Sequence, residues 1–258
     1  MSRGFGVAAG LDAEVARALA QRCSELGYGS LWSNDTPLGL GLETLSAFAE
    51  AAPQLDLGVA VMALDRHAPD EIAGHVERLG LDRERLWLGV GAGFSEKPLT
   101  AMREATPVLR EALPGIRLVL AAMGPRMCAF AGGHFDGVFF NWMTPEFAAS
   151  AREHVEVGAQ EAGRETPPVL GYVRTAVGPD ASKRLSKEEA FYRDYHDGYR
   201  SHFQRLGEPE GTVGVAAADR DEAQAALGRY DALDIVVVRG LASANAEAMT
   251  ALAEATAP

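Results

Sequence analysis

Eight short β-type runs alternate with amphipathic helical stretches along the 258 residues of this chain. Several runs, such as DIVVVR from Asp234, are apolar on both faces, which is typical of parallel strands covered by helices. Eight such βα units closed into a ring predict an α/β fold, a (β/α)8 TIM barrel. An open doubly wound sheet is the alternative arrangement of the same units. The predicted strands begin at Gly4, Ser30, Leu55, Arg85, Ile116, Asp136, Val169 and Asp234.

The chain carries no fixed short repeat and no low-complexity linker, so residues 1–258 are predicted to form one domain with shortened insertions. The stretch from Pro179 to Ala218 is irregular. Its aromatic segment KEEAFYRDYHDGYRSHF predicts a long helix and a loop between strands seven and eight, serving either as a lid or as a dimer surface.

The charge balance excludes one class of partner. The net charge of −12 and a pI near 5.0 would repel nucleic acid and anionic membranes. The first residues resemble neither a signal peptide nor a membrane span, and Cys23 and Cys128 lack metal-ligand spacing. We therefore expect a cytoplasmic protein with two buried free thiols that acts on a small molecule and forms a homodimer.

Active sites of such barrels lie at the carboxyl ends of the strands. No lysine ends a strand, which argues against a Schiff-base aldolase, and no carboxylates or histidines cluster there, which argues against a metal site. Three strand ends are instead rich in small residues, either to admit a large flat ligand or to pack closely against helices. These segments are Gly58–Ala60, GVGAG from Gly89 and AAMGP from Ala121.

Two glycine patterns superficially suggest a dinucleotide fingerprint. Gly4-Phe5-Gly6 has no strand before it, and the GVGAG segment lacks the third glycine at the required offset. Neither therefore predicts a Rossmann site.

The segment after the fifth strand is more informative. Gly124 lets the backbone approach a ligand, and Pro125 begins a helix whose free N–H groups favour an anion such as phosphate. Arg174 and Arg239 end strands seven and eight and either contact that phosphate or form surface ion pairs. Trp142 either lines the same pocket or packs in the core.

Five segments occur in order and at barrel spacing: LGYGSLWSND, LDLGVAVMALDRHAPDEIA, RLWLGVGAGFSEKPLTAMREA, LAAMGPRM and DGVFFNWMTPE. Together they resemble the bacterial luciferase-like superfamily of flavin- and deazaflavin-dependent oxidoreductases. The greatest likeness is to short actinobacterial proteins described as probable coenzyme F420-dependent oxidoreductases. The resemblance covers roughly residues 5–180.

The resemblance implies that a cofactor ring lies in the barrel mouth. It places a non-prolyl cis peptide at Ala60-Val61, behind the ring, and a phosphate-binding turn at residues 122–124. The cofactor implied is coenzyme F420, with FMN as the alternative. The predicted cofactor-binding residues are Ala60, Val61, Met62, Gly91, Gly93, Ala122, Met123, Gly124 and Asn141, to which the charge argument adds Arg174 and Arg239.

The chain departs from the superfamily pattern after the second strand. Many members have an acidic residue followed by histidine there, used for proton transfer, whereas Asp35 is followed by Thr36. No histidine is expected to replace it from a strand end, and His67 is assigned a structural role at a helix start. Asp35, Asn34 or a bound water would then have to manage protons.

Three functions follow from this pattern. The first is hydride transfer between reduced F420 and a small organic substrate, with the cofactor carrying the chemistry. The second is an FMN-dependent monooxygenase, which would need a flavin reductase as partner. The third, suggested by Thr36 and a short substrate region, is a flavin-binding protein without efficient catalysis.

Overall fold

The computed structural model describes residues 2–37 and 39–258, which form nine strands and ten helices. The strands are β1 (Ser2–Ala8), β2 (Ser30–Asn34), β3 (Asp56–Ala63), β4 (Leu86–Gly91), β5 (Arg117–Ala121), β6 (Gly137–Asn141), β7 (Val169–Val177), β8 (Val215–Ala217) and β9 (Ile235–Gly240). The helices are α1 (Ala13–Glu25), α2 (Gly41–Ala51), α3 (Pro69–Arg78), α4 (Pro98–Ala112), α5 (Pro125–His134), α6 (Pro145–Glu161), α7 (Ala181–Tyr195), α8 (Asp197–Leu206), α9 (Arg220–Gly228) and α10 (Ala246–Ala255).

Eight of the strands close into a parallel ring, so the predicted (β/α)8 barrel is confirmed and the open sheet is not. The ring runs in chain order from β1 to β7, continues through β9 and closes where β9 pairs with β1. Each of the eight predicted strands has its counterpart among these. The short β8 lies beside the end of β7, where Thr175 pairs with Val215, and extends the sheet outside the ring.

The region between β7 and β9 differs from the predicted long helix and loop. It holds two helices, α7 and α8, which are separated by the extended residue His196. The helix breaks there because the His196 side chain caps α8, accepting a hydrogen bond from the Gly198 N–H at 3.0 Å. The strand β8 and the helix α9 were not predicted either.

Local sequence signals set where the helices begin. Proline occupies the first turn of α3, α4, α5 and α6, where its missing N–H costs no hydrogen bond. Thr144 caps α6 as predicted, because its hydroxyl accepts from the Phe147 N–H at 3.1 Å. None of the helices in the described chain is long and apolar enough to cross a membrane.

The barrel interior is filled mainly by large side chains. Trp32, Phe139 and Tyr172 meet there, with ring centroids 5.1 Å apart for the first pair and 4.7 Å for the second. Gly58 makes room for this layer, since an added Cβ would overlap the Trp32 indole. The aromatic layer therefore forms a solid floor beneath the carboxyl ends of the strands.

A second, larger core packs between the barrel and its surrounding helices. Cys23 and Cys128 are both buried there as free cysteines, as predicted. Burial disfavours the charged thiolate and raises the pKa of the Cys128 thiol to about 12. These thiols are therefore packing groups and not nucleophiles.

Candidate functional site at the barrel mouth

A polar layer lies directly above the aromatic floor of the barrel. Side chains alternate along a strand, so a residue two positions after an inward-facing one also faces inward. Arg174 stands two residues after inward-facing Tyr172 on β7, and Arg239 two after Val237 on β9. In the same way Asn34 stands two residues after Trp32, and Asn141 two after Phe139, so two arginines and two asparagines lie above the aromatic layer at the carboxyl end of the barrel.

The two arginines are direct neighbours across adjacent strands. Arg174 and Arg239 pair in register between β7 and β9, and their exposed fractions are only 3% and 7%. Within residues 2–37 and 39–258 neither guanidinium forms an ion pair with a carboxylate. Burial, and then the neighbouring Arg174, lower the pKa of Arg239. The alternative reading as surface ion pairs is therefore wrong.

Each arginine is held by an asparagine on a different side of the mouth. Arg239 donates from Nε to the Asn34 Oδ1 at 3.2 Å. Because Asn34 is on β2, the Arg239 side chain extends from β9 past β1. It also donates to the Gly240 carbonyl at 2.9 Å. Arg174 donates instead to the Asn141 Oδ1 on β6. The two guanidiniums therefore lean in opposite directions around the ring.

Several buried hydrogen-bond donors near this pair have no partner in the described part of the chain. They are the Arg174 Nε, the Tyr172 hydroxyl and the Trp142 Nε1. The Arg174 guanidinium lies 4.2 Å from the Trp142 ring centroid and 5.7 Å from that of Tyr172. Burial raises the pKa of the Tyr172 phenol, which keeps its proton available for donation. Because leaving these buried donors unpaired costs free energy, a ligand with several hydrogen-bond acceptors would be stabilised here.

Small side chains line the mouth on β3 to β5, and another ends β1. Ala8 at the end of β1 is exposed, and Val61 and Ala121 are half-buried, with Gly91 between them on β4. The peptide bond between Ala60 and Val61 is cis, as the family resemblance implied. Solvent therefore reaches these parts of the rim.

The predicted phosphate turn directly follows β5. Gly124 caps the start of α5, and an added Cβ at Gly124 would meet no atom within 4 Å. The α8 residue Arg205 approaches the Met123 carbonyl at 3.5 Å and adds positive charge beside the turn. The turn thus combines free space, a helix N-terminus and a nearby cation.

Two predicted cofactor-binding residues direct their side chains away from the mouth. Met62 and Ala122 are buried in the core between barrel and helices, so only the backbone of each remains to meet a ligand. Gly93 adopts φ +60°, and an added Cβ there would overlap the Asp65 carboxylate.

Asp35 sits one residue beyond inward-facing Asn34 and turns outward, toward α2. Its Oδ1 accepts from the Gly41 N–H at 3.0 Å, and its Oδ2 lies 2.7 Å from the Arg66 Nη2 and 2.9 Å from the His67 Nε2. The Asp35 side chain is 1% exposed and that of His67 is 19% exposed. His67, which was assigned a structural role at a helix start, thus lies within hydrogen-bond distance of Asp35.

The missed histidine had a signal in the sequence. His67 follows β3, the neighbour of β2, and the carboxyl ends of neighbouring parallel strands share one edge. The residue directly after Asp35 is Thr36, and the histidine beside Asp35 comes instead from the loop after β3.

The two helices α7 and α8 cover part of the mouth. Tyr192 of α7 packs on Trp142 with centroids 5.1 Å apart and lies 5.0 Å from the Arg174 guanidinium. At the break between the helices, His196 stacks on Phe94 from the loop after β4 at 4.3 Å. Of the two alternatives for the aromatic segment, its position over the mouth supports a lid.

The cover is fixed to the barrel by a buried histidine. The His202 Nε2 lies 2.5 Å from the Trp142 carbonyl oxygen, and Trp142 holds the unusual backbone angle φ 50°. Burial lowers the pKa of His202 to about 4, so the ring is neutral near pH 7 and donates to that carbonyl.

No three histidine, cysteine, aspartate or glutamate side chains in the described chain gather as ligands for a metal ion. Two open cavities lie outside the mouth. One, of about 260 Å³, lies beside α10 and is lined by Gly178, Arg184 and Leu252 among others. The other, of about 230 Å³, lies near Gly10 and Thr44.

Comparison with known proteins gives a family and a fold. The family model described as luciferase-like monooxygenase matches residues 99–256. A curated relative, the 5,10-methylenetetrahydromethanopterin reductase of Archaeoglobus fulgidus, is 28% identical over a match that covers 38% of this chain and 40% of that protein. The matched region thus spans less than half of that relative's length.

Solved structures share the whole fold at low identity. An F420-dependent secondary alcohol dehydrogenase has a TM-score of 0.75 and 16% identity, covering 99% of this chain and 98% of that one. The F420-dependent tetrahydromethanopterin reductase of Methanopyrus kandleri scores 0.73 at 17% identity, covering 98% and 97%. An FMN-bound Baeyer–Villiger monooxygenase component from Pseudomonas putida scores 0.67 at 12% identity, covering 100% and 99%.

Proposed function

Because the chain belongs to the luciferase-like monooxygenase family, we propose that it binds coenzyme F420 in the barrel mouth and transfers a hydride between the reduced cofactor and a small organic substrate. Two structures with the same fold are named as F420-dependent enzymes, a secondary alcohol dehydrogenase and the tetrahydromethanopterin reductase of Methanopyrus kandleri. These names support the choice of cofactor.

The small side chains at the mouth are the observation that carries the proposal. Val61 and Ala121 are half-buried with Gly91 between them, and β5 leads on to the Gly124 turn, where an added Cβ would meet no atom within 4 Å. There the N-terminus of α5 and the nearby Arg205 favour the phosphate of the cofactor. The small side chains of the mouth suit a planar ring, and the α5 N-terminus with Arg205 suits its phosphate.

The deazaflavin would supply the hydride chemistry when bound, while the chain supplies position and proton handling. We assign proton handling to His67, with Asp35 as the residue that positions its ring. Asp35 is fixed by the Gly41 N–H and by Arg66, so its carboxylate provides a rigid acceptor for the His67 Nε2. Asn34 is engaged by Arg239 and is better placed to hold that guanidinium.

An FMN-dependent monooxygenase is the second candidate, because the FMN-bound relative shares the fold and a phosphate turn would serve either cofactor. The third candidate, binding without efficient turnover, is favoured by the aromatic cover of Tyr192 and its neighbours over part of the mouth. The homodimer, the cytoplasmic location and a flavin reductase partner stay predictions.

Fluorescence titration of the purified protein with F420 and with FMN separates the candidates. The proposal expects tighter binding of F420, followed by oxidation of reduced F420 on addition of a carbonyl or unsaturated substrate from a panel. Tighter binding of FMN would favour the monooxygenase. Binding of F420 with no turnover across the panel would leave the third candidate.

A further inference from the structure

We propose that Arg239 and Arg174, with the Tyr172 hydroxyl, form a site for a carboxylate or phosphate group of the substrate. This inference rests on the proposed function, because it places the substrate's anionic group across the mouth from the cofactor's phosphate. It names the class of substrate: a small organic anion that also carries the group to be reduced or oxidised.

The charge of the pair is the first argument. Two guanidiniums in register, each at least nine-tenths buried, are costly to hold together without an anion. Glu188 on α7 acts on Arg239 only through space and raises its pKa, against the larger lowering by burial and by Arg174. No carboxylate in the described chain bonds to either arginine, so a ligand is the natural counter-ion.

The unpaired donors are the second argument. The Arg174 Nε and the Tyr172 hydroxyl are buried and have no acceptor within the described residues. The amide oxygens of Asn34 and Asn141 already hold the two guanidiniums in place. A carboxylate or phosphate brings several acceptor oxygens and would satisfy these donors together.

The position of Arg239 is the third argument, since it separates the Arg239 guanidinium from the cofactor's phosphate turn, whereas Arg174 leans toward Asn141 on β6. Gly124 follows β5, which stands opposite β1 in the ring of eight strands. Arg239 crosses above β1 to reach Asn34 on β2. Its guanidinium thus lies across the mouth from the Gly124 turn, on the side that a cofactor anchored at Gly124 leaves for the substrate.

The lid gives the site its enclosure. The Arg174 guanidinium packs against two aromatic rings, with centroids 4.2 Å away for Trp142 and 5.0 Å away for Tyr192. An anion bound here would be shielded from water, which strengthens its attraction to the guanidiniums. The aromatic walls also favour a substrate whose anionic group is attached to a planar apolar body.

The test is isothermal titration of benzoate and of inorganic phosphate into the F420-loaded protein, with the wild type and two variants. Arg239→Gln removes one guanidinium of the pair, whereas Arg164→Gln makes the same charge change on the surface. We expect one of the two probes to bind the loaded wild type. Its affinity should fall roughly tenfold to a hundredfold in R239Q and stay unchanged in R164Q.

Titration of F420 into the same variants distinguishes this inference from the proposed function. F420 affinity should fall far less in R239Q than the affinity for the anion does, and retained F420 binding also shows that the variant folds. If F420 displaces the anion, or if R239Q weakens F420 as much as the anion, the arginines serve the cofactor and the inference is overturned. It is also overturned if neither probe binds the loaded wild type. Failure of wild-type F420 binding would overturn the proposed function and this assignment together.

Discussion

Asp35 and His67 are joined across the ends of two neighbouring strands, with the Asp35 Oδ2 2.9 Å from the His67 Nε2. The two residues are 32 positions apart in the chain, and the same carboxylate oxygen also binds Arg66. The position directly after Asp35 is threonine, yet an acid–histidine pair is present at the rim. The loop after β3 supplies it.

Replacing His67 should separate catalysis from binding. His67→Gln removes a group that holds a proton, so turnover with reduced F420 should fall about a hundredfold or more. F420 affinity should not change, because the phosphate turn and the small residues of the mouth are untouched. Steady-state kinetics with a fluorescence titration measure both quantities. His75→Gln, which changes a half-buried histidine of α3 beside Arg78, is the control, and equal turnover in the two variants would contradict the assignment.

Removing the Asp35 charge should cost stability. Asp35→Asn keeps an acceptor for the Gly41 N–H but removes the carboxylate that binds Arg66 and His67. The free energy of unfolding should fall by roughly 1–3 kcal/mol, measured by urea denaturation. The exposed pair of Arg17 and Glu50 gives the comparison, since Glu50→Gln should cost about 0.5 kcal/mol or less. Similar losses of unfolding free energy in the two variants would contradict the claim that the buried contacts of the Asp35 carboxylate stabilise the fold more than an exposed ion pair does.

Two glycines with similar backbone angles should respond differently to alanine. Gly80 at φ +62° has open space around it, whereas an alanine at Gly93, φ +60°, would displace the Asp65 carboxylate from the Phe94 N–H. We expect Gly80→Ala to cost about 1 kcal/mol for the backbone alone. Gly93→Ala should cost roughly 1 kcal/mol more, for the lost hydrogen bond. If Gly80→Ala and Gly93→Ala lowered the thermal denaturation temperature equally, the Asp65 hydrogen bond to the Phe94 N–H would not contribute to stability.

Stability should depend on pH through His202. Its pKa is lowered to about 4 in the folded protein from 6.5, so below pH 6.5 the unfolded chain binds more protons than the folded one. Stability is therefore lost as the pH falls from about 6.5 toward 4. Between pH 7 and pH 5 the wild type should lose roughly 2 kcal/mol more than His202→Gln, which keeps a donor for the Trp142 carbonyl. Urea denaturation at both pH values measures the loss, and an equal loss of unfolding free energy in the two proteins would contradict this prediction.

The fold was readable from sequence because it depends on periodic patterns. Apolar runs mark each barrel strand, and Thr144-Pro145 marks the start of α6. The break at His196 was not readable, because it depends on one side chain accepting a hydrogen bond from the Gly198 N–H. The three-residue strand β8 was missed because it is stabilised by pairing with β7 and not by its own sequence.

The site was readable only in part, for the same reason. Glycines, alanines and arginines at strand ends could be named, since barrel geometry fixes where strand ends lie. Met62 points outward after a register shift between β3 and β4, and no pattern in the sequence predicts that shift. The opposite leanings of Arg174 and Arg239 depend on asparagines contributed by other strands. Such contacts between distant segments appear only in three dimensions.

The central claim is that a phosphorylated redox cofactor binds in the barrel mouth with its phosphate at the Gly124 turn. Fluorescence titration of F420 into wild type, Gly124→Asp and Gly124→Asn tests it most directly. An added side chain there meets open space, so both variants should fold, and they differ by one negative charge. The account predicts that G124D loses F420 binding while G124N retains most of it. Equal affinity in all three proteins would contradict it.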